Sequence, residues 1–309
     1  MEGLVIQSTG SWYEVDDGQG NRYKARLRGK FRKNQKLVSN PLAVGDRVEF
    51  DIEEGEEQSA WITKIQERNN QIIRRSPRSN RHQHVLAVNL DQAFLLVTLS
   101  EPRTSLGFID RFLVNARTYH IPASLIFNKS DKLSEQELGR QAALQELYES
   151  LGHPCYLISA KFGQGLEPLK EALKDKSTLL VGHSGVGKSS LANALDEELG
   201  IKVREVSEAT GKGMHTTTFA TMHPLEFGGW IVDTPGIREF GIVDLEREEV
   251  GHYFPEIVEQ MEHCRFNDCM HTNEPGCAVL EALEQGHIAL SRYESYLSIL
   301  EDTGQEDWM

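Results

Sequence analysis

Long apolar runs are missing from this chain of 309 residues. No stretch approaches the ~20 residues a membrane-spanning helix needs. The start, Met1-Glu2-Gly3-Leu4, has neither a basic cluster nor an apolar segment, so no secretory leader is expected. Cysteine is scarce: Cys155, Cys264, Cys269 and Cys277 are all there is. Three of them fall within fourteen positions, which argues against a disulfide framework and for a metal site in a reducing compartment. A cytoplasmic protein is expected, with no membrane partner. Internal repeats and low-complexity segments are absent. Basic residues run short at the end: residues 245–309 hold fifteen Asp or Glu but only Arg247, Arg265 and Arg292.

The composition, 39% hydrophobic and 26% charged, describes a globular chain, long enough for two or three domains with buried cores. A net charge of −14 taken alone discourages a nucleic-acid partner. Its distribution reverses that reading. Residues 1–84 carry fifteen Lys or Arg against twelve Asp or Glu, and between Arg22 and Lys36 there are eight bases and no acid. An anionic partner should meet this part.

Residues 1–73 read as all-β, with short strands separated by Gly- and Asp-containing turns. Arg22, Lys24, Arg26 and Arg28 alternate with Tyr23, Ala25 and Leu27, which puts the four bases on one face of a strand. Gly29 and Lys30 suit a turn, and Arg32 and Lys33 extend the run. Five or so strands in this length fit an OB-like barrel, a fold whose face and loops often bind oligonucleotides. RNA contact is expected at Arg22, Lys24, Arg26, Arg28, Lys30, Arg32 and Lys33; the plainer alternative is a solvated charged strand.

Residues 74–84 read as a basic linker. From Val85 the pattern turns α/β. Apolar runs at 93–97, 123–127, 155–158, 178–181 and 230–232 alternate with helical stretches at 109–119, 134–151, 166–173 and 188–195. That implies a mostly parallel sheet covered on both faces. After residue 244 short helices are expected at 255–262, 278–285 and 289–300. The expected architecture is therefore multidomain: an OB-like domain (1–73), the linker, an α/β P-loop domain (85–244) and a mostly helical C-terminal domain (245–309).

Four motifs follow strands of the α/β part. Asn128-Lys129-Ser130-Asp131 comes first, then Ser159-Ala160-Lys161. Gly182-His183-Ser184-Gly185-Val186-Gly187-Lys188-Ser189 follows, with Ser190, and Asp233-Thr234-Pro235-Gly236 is last. The glycine-rich loop lies between a strand and a helix, the setting of a phosphate-binding loop. There Lys188 would meet the β- and γ-phosphates and Ser189 would ligate Mg²⁺. The Asp131 carboxylate, an acceptor only, can pair with the adjacent guanine N1 and N2 donors; adenine has no such pair. Asn128 would bond N7, the Lys129 stem would cover the base, and backbone N–H groups at 159–161 would meet O6. Asp233 would hold Mg²⁺ through water, and the Gly236 N–H would reach the γ-phosphate. In the Gly-rich stretch 211–218, Thr216 or Thr217 should complete the Mg²⁺ shell. Ile237 stands where many GTPases have a water-orienting Gln, so slow intrinsic hydrolysis is expected. His215 is a candidate substitute, or else an ordinary loop histidine. Because the guanine-reading half precedes the phosphate half, the chain reads as a circularly permuted GTPase.

Cys264, Cys269, His271 and Cys277 offer three thiolates and an imidazole, a complete tetrahedral zinc set with no position open for catalysis. Cys155 reads as plain core. Together with Ile109-Asp110-Arg111-Phe112-Leu113, His215-Thr216-Thr217-Thr218, Pro235-Gly236-Ile237 and Glu274-Pro275-Gly276-Cys277, these features closely resemble the RsgA family (YjeQ/YloQ) over essentially the whole chain. The resemblance implies a GTPase that binds the small ribosomal subunit and its rRNA late in assembly. It further implies stimulation by the subunit, help in releasing assembly factors, and His215 as the catalytic switch residue. A monomer with one structural Zn²⁺, and Mg²⁺ bound with GTP, is expected. A second reading is a nucleotide-gated binding module, with hydrolysis incidental and another RNA or a protein as target.

Overall fold

The computed structural model describes residues 1–9, 12–28, 41–53, 55–76, 79–200, 220–233 and 245–304. Lys30, Arg32, Lys33, His215, Thr216, Thr217, Gly236 and Ile237 lie outside the described residues.

Strands β1 (Glu2–Ser8), β2 (Tyr13–Asp16), β3 (Arg22–Leu27), β4 (Arg47–Glu53) and β5 (Glu56–Ile65) form the N-terminal barrel. The sheet runs β1–β2–β3–β5–β4 and closes where β4 pairs back on β1. Alternation decides what faces inward: Tyr23, Ala25 and Leu27 of β3 are buried while Arg22, Lys24 and Arg26 are exposed. Val5, Tyr13, Val15, Val48, Phe50 and Ile62 complete the barrel core. Closure is tight at Gly3, where a Cβ would lie 2.5 Å from Val15 Cγ1.

Within the basic stretch 74–84, residues 74–76 and 79–84 belong to an antiparallel ribbon of β6 (Gln71–Ser76) and β7 (Ser79–Val88). Charge marked the segment as a linker, but flanking apolar residues give the ribbon its register. Ile72 pairs with Ala87 and Ile73 with Val85, and all four are buried. The ribbon is tied to the barrel by the Val88 N–H, which donates to the Val44 carbonyl at 3.0 Å.

The α/β part contains β8 (Gln92–Val97), α1 (Leu106–Thr118), β9 (Ala123–Phe127), α2 (Glu135–Ser150), β10 (Cys155–Leu157), α3 (Leu166–Leu173), β11 (Ser177–Val181), α4 (Lys188–Leu195), β12 (Thr221–Pro224) and β13 (Trp230–Asp233). The parallel order is β10–β9–β8–β11–β13. All six residues of central β8 are buried, as a strand covered on both faces requires. β12 runs antiparallel to β13 and meets β1 at Gln7↔Thr221, so barrel and α/β part share one eleven-stranded sheet.

The C-terminal region packs α5 (Pro255–Met261), α6 (Ala278–Glu284) and α7 (Leu290–Gly304) around Phe254, Ile257, Val279, Tyr296 and Ile299, with Val114 of α1 in the same core. One buried arginine fastens this region to the α/β part. Arg292 of α7 donates to Asp110 of α1 at 2.6 Å and to both carboxylate oxygens of Glu256 on α5, at 2.6 and 3.3 Å. Tyr148 of α2 donates to the same Asp110 oxygen at 2.8 Å. Burial pushes the Asp110 carboxyl upward, while the Arg292 charge pulls it down. Nearer the surface, Arg111 pairs with Asp302 at 2.5 Å. No helix among the described residues is long and apolar enough to cross a membrane.

Arg292→Leu should destabilise the chain by about 3–5 kcal/mol, because two buried carboxylates lose their counter-charge. Arg292→Lys should rescue little, since a point charge cannot reproduce the fork across two acids. Denaturant unfolding followed by tryptophan fluorescence checks both; an unchanged midpoint for Arg292→Leu contradicts this role for the arginine.

Candidate nucleotide site and metal centre

The four expected loops lie at the C-terminal ends of parallel strands. Those after β9, β10 and β11 are described, as is Asp233, the last residue of β13. Asn128 joins three of these loops. Its side chain is 4% exposed. Nδ2 donates to the Val186 carbonyl of the glycine-rich loop at 2.8 Å, and Oδ1 accepts from the Ala160 N–H at 3.1 Å. Asn128, expected from the sequence to meet N7, thus has a structural role that spacing alone does not reveal. The approach is close: a Cβ at Gly187, where φ is +103°, would sit 2.4 Å from Asn128 Nδ2.

Ser159 donates from Oγ to Asp131 Oδ1 at 2.6 Å, orienting the carboxylate. The Ser130 hydroxyl bonds the Ile158 carbonyl at 3.0 Å, so the two guanine-side loops hold each other. Lys129 has a left-handed backbone (φ 64°) and its ammonium reaches the Glu101 carbonyl.

β11 delivers the chain into the glycine-rich loop, and α4 begins at Lys188, with its N-terminal N–H groups aimed where an anion is favoured. Lys188 Nζ donates to the carbonyls of Gly182 and His183 at 2.6 and 3.0 Å. Burial pushes its pKa downward, and Asp233 opposes the shift. A contact not foreseen from the motifs covers the loop: the Phe108 ring of α1 lies 4.0 Å from the His183 ring, centroid to centroid.

Cys264, Cys269, His271 and Cys277 form one cluster, their ligand atoms all within 4.8 Å of one another. His271 Nδ1 is 3.5 Å from Cys264 Sγ and 3.4 Å from Cys277 Sγ, and those two sulfurs are 3.9 Å apart. A tetrahedron with Zn–S of about 2.3 Å and Zn–N of about 2.0 Å has edges of roughly 3.5–3.8 Å. The donor set therefore fits Zn²⁺ in both chemistry and size. The loop is held from two sides. Glu274 accepts from the N–H groups of Met270, Thr272 and Asn273 at 2.8–3.0 Å. Burial raises this carboxyl, but the N–H donors outweigh burial and hold it at about 2. Tyr293 and Tyr296 of α7 donate to the carbonyls of His271 and Met270, both at 2.7 Å. Cys155 stands apart on β10, its thiol pushed up to about 12 by burial, away from the thiolate form a nucleophile needs.

A glycine-rich phosphate loop preceded in sequence by its guanine loops, on one parallel sheet, defines a circularly permuted P-loop GTPase. Residues 65–243 match the RsgA GTPase model and residues 2–62 the RsgA N-terminal domain model. A relative from Christiangramia forsetii named small ribosomal subunit biogenesis GTPase RsgA is 49% identical over 308 residues, covering 99% of this chain and 97% of its own. The crystal structure of YjeQ from Thermotoga maritima is similar at TM-score 0.78 and 38% identity, covering 98% of each chain. That of YloQ, titled a circularly permuted GTPase, is similar at TM-score 0.75 and 30% identity, covering 99% of this chain and 95% of its own. The chain belongs to the RsgA GTPase family and is a GTP hydrolase.

Asp131→Asn should weaken GTP binding at least several-fold while xanthine nucleotide gains, because the amide can donate where guanine also donates but xanthine accepts. Nucleotide titrations check this, and unchanged GTP affinity would remove Asp131 from guanine selection. One zinc per chain is expected, and Cys269→Ser should lose it and loosen residues 245–304, whose small core leans on the metal. Metal analysis with limited proteolysis is the check; full zinc content in the variant contradicts the ligand set.

Proposed function

We propose that this GTPase binds the small ribosomal subunit late in its assembly, in the cytoplasm and as a monomer. The subunit stimulates hydrolysis of GTP to GDP and phosphate, and turnover helps release assembly factors. The observation that carries this reading is the continuity of the sheet. One strand, β12, lies between β13, which ends in Asp233, and β1 of the barrel, whose outer face carries exposed bases. The names of full-length relatives supply the anionic partner.

The roles follow from the site. Asp131, oriented by Ser159, reads the guanine N1 and N2 donors. Lys188 exchanges its two loop carbonyls for the β- and γ-phosphate oxygens. Ser189, Asp233 and Thr216 or Thr217 would hold Mg²⁺, which neutralises phosphate charge when bound. Ile237 can neither donate nor accept, so the free enzyme binds GTP and turns it over slowly. On the subunit, His215 of the stretch 211–218 meets the attacking water.

The C-terminal region is a poor candidate for broad RNA contact. Of its three bases, Arg292 is 1% exposed and already paired with acids. RNA contact is therefore assigned to the barrel.

Single-turnover hydrolysis with purified small or large subunits tests the reading. Stimulation by small subunits alone is expected, and His215→Ala should lose roughly 10²-fold of the stimulated rate with GTP affinity kept. Equal rates with and without small subunits would favour the gated binding module instead. Full stimulation of His215→Ala would remove the histidine from the chemistry.

A further inference from the structure

The outer face of the barrel carries more than charge. Arg22 is engaged by Glu14 and Asp16, at 3.7 and 3.6 Å, and Arg28 by Asp51 at 3.6 Å. Among the described residues no acid pairs with Lys24 or Arg26, and both lie instead on Trp12. The Arg26 guanidinium carbon is 3.4 Å from the ring centroid and the Lys24 ammonium 4.7 Å. Across the next strand Arg26 pairs in register with Trp61, which is half-buried on the same outward face. Two of the chain's four tryptophans thus flank one arginine in a row perpendicular to the strands. Beside the row opens a cleft of about 690 Å³, lined by Trp12, Lys24 and the amides of Gln7, Asn21 and Gln58, with Glu14, already engaged by Arg22, on the same wall.

We infer that this face is a stacking site for unpaired nucleotides of single-stranded RNA. Trp12 is half-buried on the barrel's outer side and stands outside the barrel core, which is built from other residues, so its ring under two cations is not explained by core packing. Every nucleobase offers a flat face to such a ring, and the free charges of Lys24 and Arg26 suit the flanking phosphates. The amides, each able to donate and accept, suit base edges. A duplex hides its base faces and could use only the charges. The inference rests on the proposed role of the barrel in meeting ribosomal RNA, and it names the form of RNA that the face accepts.

The test uses the full chain with a labelled oligoadenylate and a labelled RNA hairpin duplex of equal charge, titrated at several salt concentrations. Wild type should prefer the oligoadenylate. Trp12→Ala should weaken that binding by roughly 5- to 150-fold and change hairpin binding little. Trp12→Phe keeps an aromatic face and should retain most of the affinity, which guards against misfolding of the alanine variant. Arg26→Gln should weaken both probes and flatten the salt dependence by about 0.7–0.9. Unchanged oligoadenylate affinity in Trp12→Ala overturns the inference. So does equal loss of both probes, or displacement of the oligoadenylate by polyglutamate at matched charge, the behaviour of an acidic-peptide site. Subunit-stimulated turnover is measured separately: its absence, with oligoadenylate binding intact, sinks the proposed function and leaves the stacking site standing.

Discussion

One buried carboxamide holds the nucleotide site together. Asn128 gives one N–H to the glycine-rich loop and accepts from the loop after β10 with its oxygen, so three strand ends share a single side chain. In a permuted chain these loops arrive in an unusual order, yet the bonds are indifferent to order. They need only the strand ends close together, which the order β10–β9–β8–β11 provides. A buried amide satisfied at both ends is rigid, because losing either bond leaves a polar group stranded without water. Gly187 is the counterpart of that rigidity, since no side chain fits between it and the amide.

Helix α1 extends the same constraint outward. Its Phe108 touches the His183 ring of the phosphate loop, and one turn on its Asp110 and Arg111 grip α7. The helical region is thus joined to the nucleotide site through space as well as through the chain. Two side-chain clusters support it, the group Cys264, Cys269, His271 and Cys277 and the charge cluster around Arg292. Tyr293 lies next to Arg292 in α7 and bonds the His271 carbonyl, so both supports meet on one helix.

Much of this was legible in the sequence, for a physical reason. Phosphate loops, guanine loops and metal ligands are local: a few consecutive residues must fold around one small group, so spacing betrays them. Period two in β3 and the apolar runs of β8, β9 and β11 are local as well. What stayed hidden is long-range. Arg292 reads as one base in an acidic helix, and nothing nearby in sequence announces Asp110. The ribbon at 71–88 was masked by its charge, although Ile72, Ile73, Val85 and Ala87 set its register. Trp12 and Trp61 become neighbours of Arg26 through strand pairing, as β12 meets the barrel through the pairing of Gln7 with Thr221.

That last pairing has a consequence for the order in which the molecule is made. β1 leaves the synthesising ribosome roughly two hundred residues before β12. It is not left bare, because β2 and β4 follow soon and close the barrel around it. The end of β1 near Gln7 is the exception: an edge awaiting its partner, the kind of edge through which nascent chains pair wrongly. Domains generally fold as units in the order they emerge. The barrel is therefore an early product, and β12, with β13 beside it, joins it later. A chain interrupted before residue 221 would carry the outward basic face without the strand that joins the barrel to the parallel sheet.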